Sequence, residues 1–430
     1  MEQTLDHSAG DGTHALDRQL PEQLFSALHD IGFDGQGITR ATYGAGENAA
    51  HHLIEAAADK LGLEIRRDWA NNLYVTLPGR DRSRPAVMTG SHMDSVPGGG
   101  NYDGAAGVVA GLTVLASWTA AGFVPERDVT VMAIRAEESA WFPISYLGSK
   151  AAFGLLSESD MATRRNDGAG MLGDMIRQSG GQPDAFAVAA LDPKSIDSFV
   201  ELHIEQGPVL LERDCPVGIV NGICGSIRYR SAVVHGQYAH SGATPRSYRS
   251  DAVIAGATLM LALQQEWIRR EDAGQEMTLT FGVCHTEADL AHFSAVSGRL
   301  DFSIDVRSRD IVLLRQIDEF IHEQAKLIEK TCHVRIALGQ QTSTSPSISD
   351  GALVQSAIDS AANMGIPAIC MPSGAGHDTA LFATQGIPTL MIFVRNEHGS
   401  HNPMESMELS DFMKGCAVLE AVLRKRSTAA

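Results

Sequence analysis

No stretch of 18 or more apolar residues occurs in the 430-residue chain, although 44% of it is hydrophobic. A helix needs about 20 such residues to cross a bilayer, so no membrane span is expected. Basic excess is missing too: 34 Lys and Arg stand against 52 Asp and Glu, for a net charge of −18. That balance argues against nucleic acid or an anionic membrane as partner. The six cysteines (Cys215, Cys224, Cys284, Cys332, Cys370, Cys416) show no CxxC spacing. Reduced thiols fit this better than a disulfide framework or a thiolate zinc site. The opening MEQTLDHSAGDGTHALD is polar and acidic and lacks the basic start and apolar core of a signal peptide. Residues 1–19 are therefore expected to be a loose tail, and the cytoplasm is the expected compartment. GGGNYDG follows its strand by several residues without a phosphate-loop lysine, which disfavours nucleotide binding.

The chain does carry apolar strands that end in polar motifs. Helical spacing runs through residues 20–62, and short strands are expected at 63–65 and 73–77. The run from Pro85 to Gly90 is a buried-strand pattern that feeds into SHMDSVPGGGNYDG, and Gly104–Gly122 is a helix of small residues. Strands at 128–135 and 198–204 end near Glu137, Glu138 and His203. Open α/β sheets bind ligands at such carboxyl ends. Between residues 223 and 339 the rhythm becomes strand, helix, two strands, helix, strand, the order of a ferredoxin-like unit. After it come a helix at 353–364, strands at 366–371 and 389–394, and a helix from Ser410. The expected fold is thus α/β: a catalytic domain over 20–222 and 340–430, with a mixed sheet flanked by helices, interrupted by an α+β module at 223–339.

Five residues in those loops have zinc-type ligand chemistry: His92, Asp103, Glu138, His203 and His401. Alone, a histidine at a strand end is usually hydrogen-bonded structure, and a Glu-Glu pair is usually a solvated face. Their coincidence at strand ends that one crevice could gather favours a two-metal hydrolase. Asp103, in a glycine-rich loop, can bridge two cations about 3.5–4 Å apart. Glu138 and His401 would complete one shell and His203 the other's. Asp94, two residues after His92, can accept its second ring N–H and fix the tautomer. Glu137 is a spare carboxylate for proton transfer.

GSHMDSVPGGGNYDGAAGV, ELHIEQGPVLLE, AHSGATP, SGAGHD and SHNP, in that order, resemble the carbamoylase branch of the aminoacylase/carboxypeptidase-like dinuclear zinc hydrolases. That branch includes N-carbamoyl-L-amino acid hydrolase, allantoate and ureidoglycolate amidohydrolases and β-ureidopropionase. The resemblance spans about residues 20–425. It implies a zinc-exopeptidase-like catalytic domain and an inserted lid that makes a homodimer. It implies two divalent ions per subunit, zinc first, with manganese, cobalt or nickel able to replace it. His92 and His203 would hold one ion, Glu138 and His401 the other, with Asp103 bridging and Glu137 as general base toward a metal-bridged water. His240 would stabilise the oxyanion and Arg307 would grip the substrate carboxylate. Gln206, Gly374 and Gly376 would contact substrate, and His377 and Asp378 would stand in support.

Two positions depart from the family pattern. Ser294 stands where an asparagine is common, and Trp141 where an arginine is common. A less polar pocket would follow, suited to an aromatic or bulky amino acid or to an acyl group other than carbamoyl. The expected substrate is an N-carbamoyl or N-acyl L-amino acid. The alternatives are allantoate or ureidoglycolate, an N-acyl aromatic amino acid, or a dipeptide.

Overall fold

The computed structural model describes residues 16–429, so most of the expected tail lies outside the described residues. Helices Gln19–Gly32 and Ala45–Lys60 open the described chain, each burying one face (Leu24, Phe25 and Leu28; Ala50, Ile54 and Ala58). The described chain divides into two compact units. The first comprises residues up to Asn221 together with Ser349–Met371 and the chain from His377 onward; the second comprises Gly222–Ile348 and Pro372–Gly376.

In the first unit, the sheet runs Glu64–Arg67, Leu73–Leu77, Val129–Ile134, Ala86–His92, Ile196–Ile204, Thr389–Val394, Val217–Ile223. The four strands from Val129–Ile134 to Thr389–Val394 are mutually parallel, and those on either side are antiparallel. Strands buried on both faces need apolar residues at nearly every position. VTVMAI and TLMIFV meet that need, with all six residues of each buried. Alternation still decides which face each residue serves. Val87, Val131, Leu202 and Ile392 pack with the helices Ala105–Ala120 and Leu409–Thr428, whereas Met88, Met132 and Phe199 pack with Phe153 and Phe382. The sheet is thus covered on both sides, a mixed α/β fold.

Ala105–Ala120 is buried almost all round because its residues are small. Its one large side chain, Trp118, is fully buried and donates its indole N–H to Glu420 Oε1 at 2.7 Å. Strand Val217–Ile223 was not anticipated. One residue separates its end from the start of the strand Gly225–His235, and it pairs antiparallel with Thr389–Val394. Short helices Leu147–Ala152, Glu158–Met161 and Leu172–Gln178 were also passed over, being too short for helical periodicity to register.

The second unit packs helices Ala252–Asp272 and Ile311–Cys332 on an antiparallel sheet. Gly225–His235 lies between Arg299–Ser308 and Arg335–Ala337, and the expected strand 277–284 is split into Thr278–Thr280 and Cys284–His285. Gln341–Thr344, beyond the expected 223–339 module, also pairs with Gly225–His235. A separate two-residue ribbon joins Ala239–His240 to Ala295–Val296. All six cysteines are free.

Trp118→Ala should destabilise the first unit by about 3–5 kcal/mol through the cavity it leaves, while Glu420 keeps its ion pair with Arg424. A clear fall in melting temperature is expected, and an unchanged one would contradict the packing described.

Candidate metal centre

Four adjacent parallel strands deliver the expected ligands to one edge of the sheet. His92 ends its strand level with Ile134, and His203 lies level with Phe393. Glu137 and Glu138 follow Ile134, and the loop carrying His401 follows Val394. His92, Asp103 and His203 offer ligand atoms within 4.8 Å of one another, as do Asp103, Glu138 and His401. The two triads share Asp103. His203 Nε2 lies 3.1 Å and His92 Nε2 3.5 Å from Asp103 Oδ1, while His401 Nε2 is 3.4 Å from both Asp103 Oδ2 and Glu138 Oε1. Glu137 Oε2 lies 4.0 Å from His92 Nε2.

The hydrogen bonds behind these residues fix which ring nitrogen faces inward. His203 Nδ1 sits 2.8 Å from the Ile204 carbonyl, and its Nε2 accepts the Gly104 N–H at 3.1 Å. His92 Nδ1 meets the backbone carbonyl of Asp94 at 3.0 Å. A carbonyl only accepts, so in both rings Nδ1 carries the proton and Nε2 is the acceptor nitrogen on the Asp103 side, shared in His203 with the Gly104 N–H. Asp103 Oδ1 is buried and takes no hydrogen bond. Lone pairs converging on a buried carboxylate require a cation between them, so the donor set fits divalent metal.

With protons as the only cations, the same demand governs titration. Burial would depress His92, but bonds to Asp103 and Asp94 carry it well above its ordinary value. His203 is raised against the same penalty, chiefly by Asp103. Asp103 and Glu138 lift His401 to about 10. For Asp103, burial is outweighed by His203, His401 and His92, which hold it well below the usual range. Burial pushes Glu137 well above the carboxylate range, with Glu138, Asp378 and Asp94 adding to the effect.

Local backbone geometry aims these groups. Gly104 has φ +66°, and a Cβ there would meet the His92 ring at 2.4 Å, so only glycine lets the loop close over that imidazole. Ala136 is also left-handed (φ 60°), which turns the chain out of the strand just before the two glutamates. Glu47 holds that turn: it accepts the N–H groups of Tyr43 (2.6 Å) and Ala136 (3.0 Å) and pairs with the buried Arg135 guanidinium. Removing one partner of such a buried pair costs about 3–5 kcal/mol. The Asp94 carboxylate has a wider task than orienting His92, from whose Nδ1 it lies 3.4 Å. It accepts the N–H groups of Glu137 (3.1 Å) and Glu138 (3.2 Å) and the Thr42 hydroxyl (2.5 Å).

Other expected site residues fall into separate groups. Gln206 donates its amide to Asp103 Oδ2 at 2.8 Å, so it is bound to the carboxylate between the triads. His377 is buried, its ring 4.5 Å from that of His203, and Asp378 accepts the Ser149 hydroxyl. Burial and Glu201 raise Asp378 to about 8. His240, Ser294, Arg307, Gly374 and Gly376 belong to the second unit. There His240 lies opposite Ala295, with its Nδ1 taking the N–H groups of Gly242 and Ala243, and Ser294 bonds His292. Arg307 donates to the Gly374 carbonyl at 2.8 Å and pairs with Asp305. Trp141, expected beside the pocket, is 8% exposed, packed with Tyr43 and Phe142, and donates its indole N–H to the Ser95 carbonyl. The aromatic-substrate expectation loses that support.

Reading the sequence missed Thr42, Glu47, Glu201, Ser400 and Glu405. Glu201 is fully buried and joins Ser91 to Thr379. Ser400 lay within the quoted SHNP motif, and a polar residue inside an apolar strand was the one signal for Glu201.

The sequence pattern described as peptidase family M20/M25/M40 matches residues 88–425. The chain is 33% identical over 403 residues to an N-carbamoyl-L-amino acid amidohydrolase of Geobacillus stearothermophilus, covering 93% of this chain and 96% of that protein. It is 31% identical over 410 residues to an allantoate amidohydrolase of Escherichia coli (strain K12), covering 94% and 97%. The crystal structure of an amidase of the hydantoinase/carbamoylase family from Burkholderia multivorans superposes with a TM-score of 0.88 at 27% identity, covering 97% of this chain and 99% of that one.

Because imidazoles ligate metal only when neutral, adding zinc to the metal-free protein near neutral pH should release protons, and affinity should fall as pH falls. Calorimetry in buffers of different ionisation enthalpy measures this; binding without net proton release would contradict the charge state derived for His401.

Proposed function

The chain belongs to peptidase family M20/M25/M40, and from that premise we propose that it is a metal-dependent amidohydrolase. It cleaves the linear C–N bond of an N-carbamoyl or N-acyl L-amino acid, with allantoate- or ureidoglycolate-type ureides as the alternative. The observation that carries this reading is the pair of triads sharing Asp103, with Glu137 beside them and close enough to group with His92 and Glu138. Zinc suits the imidazole and carboxylate set, and manganese, cobalt or nickel can replace it. When bound, two divalent ions supply the positive charge that lowers a water's pKa and polarises the substrate carbonyl. His92 and His203 would hold one ion and Glu138 and His401 the other, with Asp103 available to both. Glu137 takes a proton from the attacking water and returns it to the departing nitrogen. Its burial makes it a strong base, and nearby cations bring its pKa back toward the working range. Gln206 keeps Asp103 turned to its task. A carbamoyl substrate yields ammonia, carbon dioxide and the amino acid, whereas an acyl substrate yields a carboxylic acid and the amino acid.

A panel of N-carbamoyl, ureido and N-acyl amino acids, assayed on metal-reconstituted protein, tests this. N-carbamoyl amino acids should release ammonia and amino acid together. Amino acid without ammonia would shift the assignment to an acyl amide, and ammonia without amino acid to a ureide. Glu137→Gln should lower turnover by at least ~10²-fold with metal content intact; unchanged turnover would remove Glu137 as the base.

The homodimer has its own support. We read the second unit as the ferredoxin-like lid module, given its two helices and the antiparallel order of its strands. Arg307 lies at one end of strand Arg299–Ser308, and the ribbon carrying His240 branches from the other, about 27 Å of strand away at ~3.4 Å per residue. One small substrate does not span that length, so His240 and Arg307 serve one substrate only if they come from two copies of the chain. Mixing His240→Ala and Glu137→Gln proteins should then restore about a quarter of wild-type activity after statistical exchange of subunits. A mixture as inactive as its parts would confine each site to one chain.

A further inference from the structure

Glu405 lies four residues after His401 and belongs to neither triad, yet it touches the backbone of the residue the triads share. Its Oε1 accepts the N–H groups of Tyr102 (2.9 Å) and Asp103 (3.2 Å). Its Oε2 lies 2.6 Å from the Ser400 hydroxyl, which also reaches Asp103 Oδ2. One buried carboxylate therefore grips the Asp103 main chain and the serine next to His401, joining loops about three hundred positions apart in the sequence. Space is reserved for it: a Cβ on Gly100 would stand 2.1 Å from the Glu405 carboxyl carbon. Glu405 also lines a cavity of about 470 Å³, together with Phe25, Ile38, Tyr102 and Met407.

We propose that Glu405 is a positioning residue for metal capture, setting the Asp103 carboxylate and the His401 loop at the separation the second triad needs. This rests on the two-metal reading above. Asp103 must present two oxygens in two directions, and His401 sits on a loop whose side chain is half exposed and whose φ is 59°. Neither group is held by a regular element, so their mutual placement falls to the hydrogen bonds converging on Glu405 and Ser400. Groups that orient metal ligands in this way typically account for 10–100-fold in metal affinity. The cavity supplies the means of a direct test, because truncating Glu405 leaves a gap that a small carboxylate can fill.

The experiment is a zinc titration of metal-free wild type, Glu405→Ala and Glu405→Gln against a chelating dye, with melting temperature recorded in parallel. Glu405→Ala should bind one of the two ions about 10–100-fold more weakly, and formate should recover the loss. Glu405→Gln should stay within a few-fold of wild type, since its amide oxygen still accepts both N–H groups and its NH₂ meets Ser400. If Glu405→Ala does not fold, Ser400→Ala carries the test and should weaken the same ion. Wild-type affinity in the alanine variants overturns the proposal, as does a folded Glu405→Ala that ignores formate or a Glu405→Gln as impaired as Glu405→Ala. A wild-type chain that binds no pair of ions would sink the two-metal reading itself, a result separable from all of these.

Discussion

The carboxylate of Asp103 is buried, and three imidazoles converge on it from three different parts of the chain. An ionised carboxylate held away from water demands opposite charge close by. Here that charge resides on groups that can exchange a proton for a metal ion. Asp94, Glu137, Glu138 and Asp378 crowd the same region, and burial and mutual repulsion push Glu137 and Asp378 above the usual carboxylate range. The site is built around an unmet need for positive charge, and its chemistry follows from how that need is met.

The sheet makes such a concentration possible. Strands running in the same direction end at the same edge, so loops from residues 92, 134, 204 and 394 emerge side by side although the chain between them is long. Rigid strands fix the roots of the loops, and buried polar groups fix their courses. Arg40 is one: it is fully buried, bonds the Met93 carbonyl and Asn101, and so ties both ends of the loop between His92 and Asp103. Burial lowers its pKa to about 10, which still leaves it a cation at neutral pH. Arg135 does the same for the turn before Glu137. Two buried arginines thus act as struts behind an acidic site.

What could be read from sequence and what could not divides along a physical line. His92, Asp103, Glu137, Glu138, His203 and His401 were legible because each stands at the end of an apolar run or in a short polar motif in the loop that follows one. Parallel strands leave that pattern wherever a loop carries function. Glu47 and Glu405 were not legible, since the partners that give them their roles lie roughly 90 to 300 positions away and nothing local distinguishes them from surface acids, and Glu201 left only its place inside an apolar strand as a sign. Trp141 is a related case: its place in the motif suggests the pocket, while its indole donates to a backbone carbonyl in another loop. The major strands and helices of the fold followed from periodicity. Val217–Ile223 did not, because a break of one residue before Gly225 separates two strands that belong to different sheets.

The position of Thr389–Val394 has a consequence for how the chain is made. This strand lies between Ile196–Ile204 and Val217–Ile223, which precede it by well over a hundred residues. Until the ribosome has passed residue 394, both of those strands present an open apolar edge to the cell, the kind of surface that recruits foreign strands. His401 and Glu405 come later still, so a growing chain holds four of the five proposed ligands and the proposed base before the last one exists. The protein is therefore most exposed to misassembly late in synthesis, and the residues that seal its sheet arrive just before those that complete the candidate metal centre.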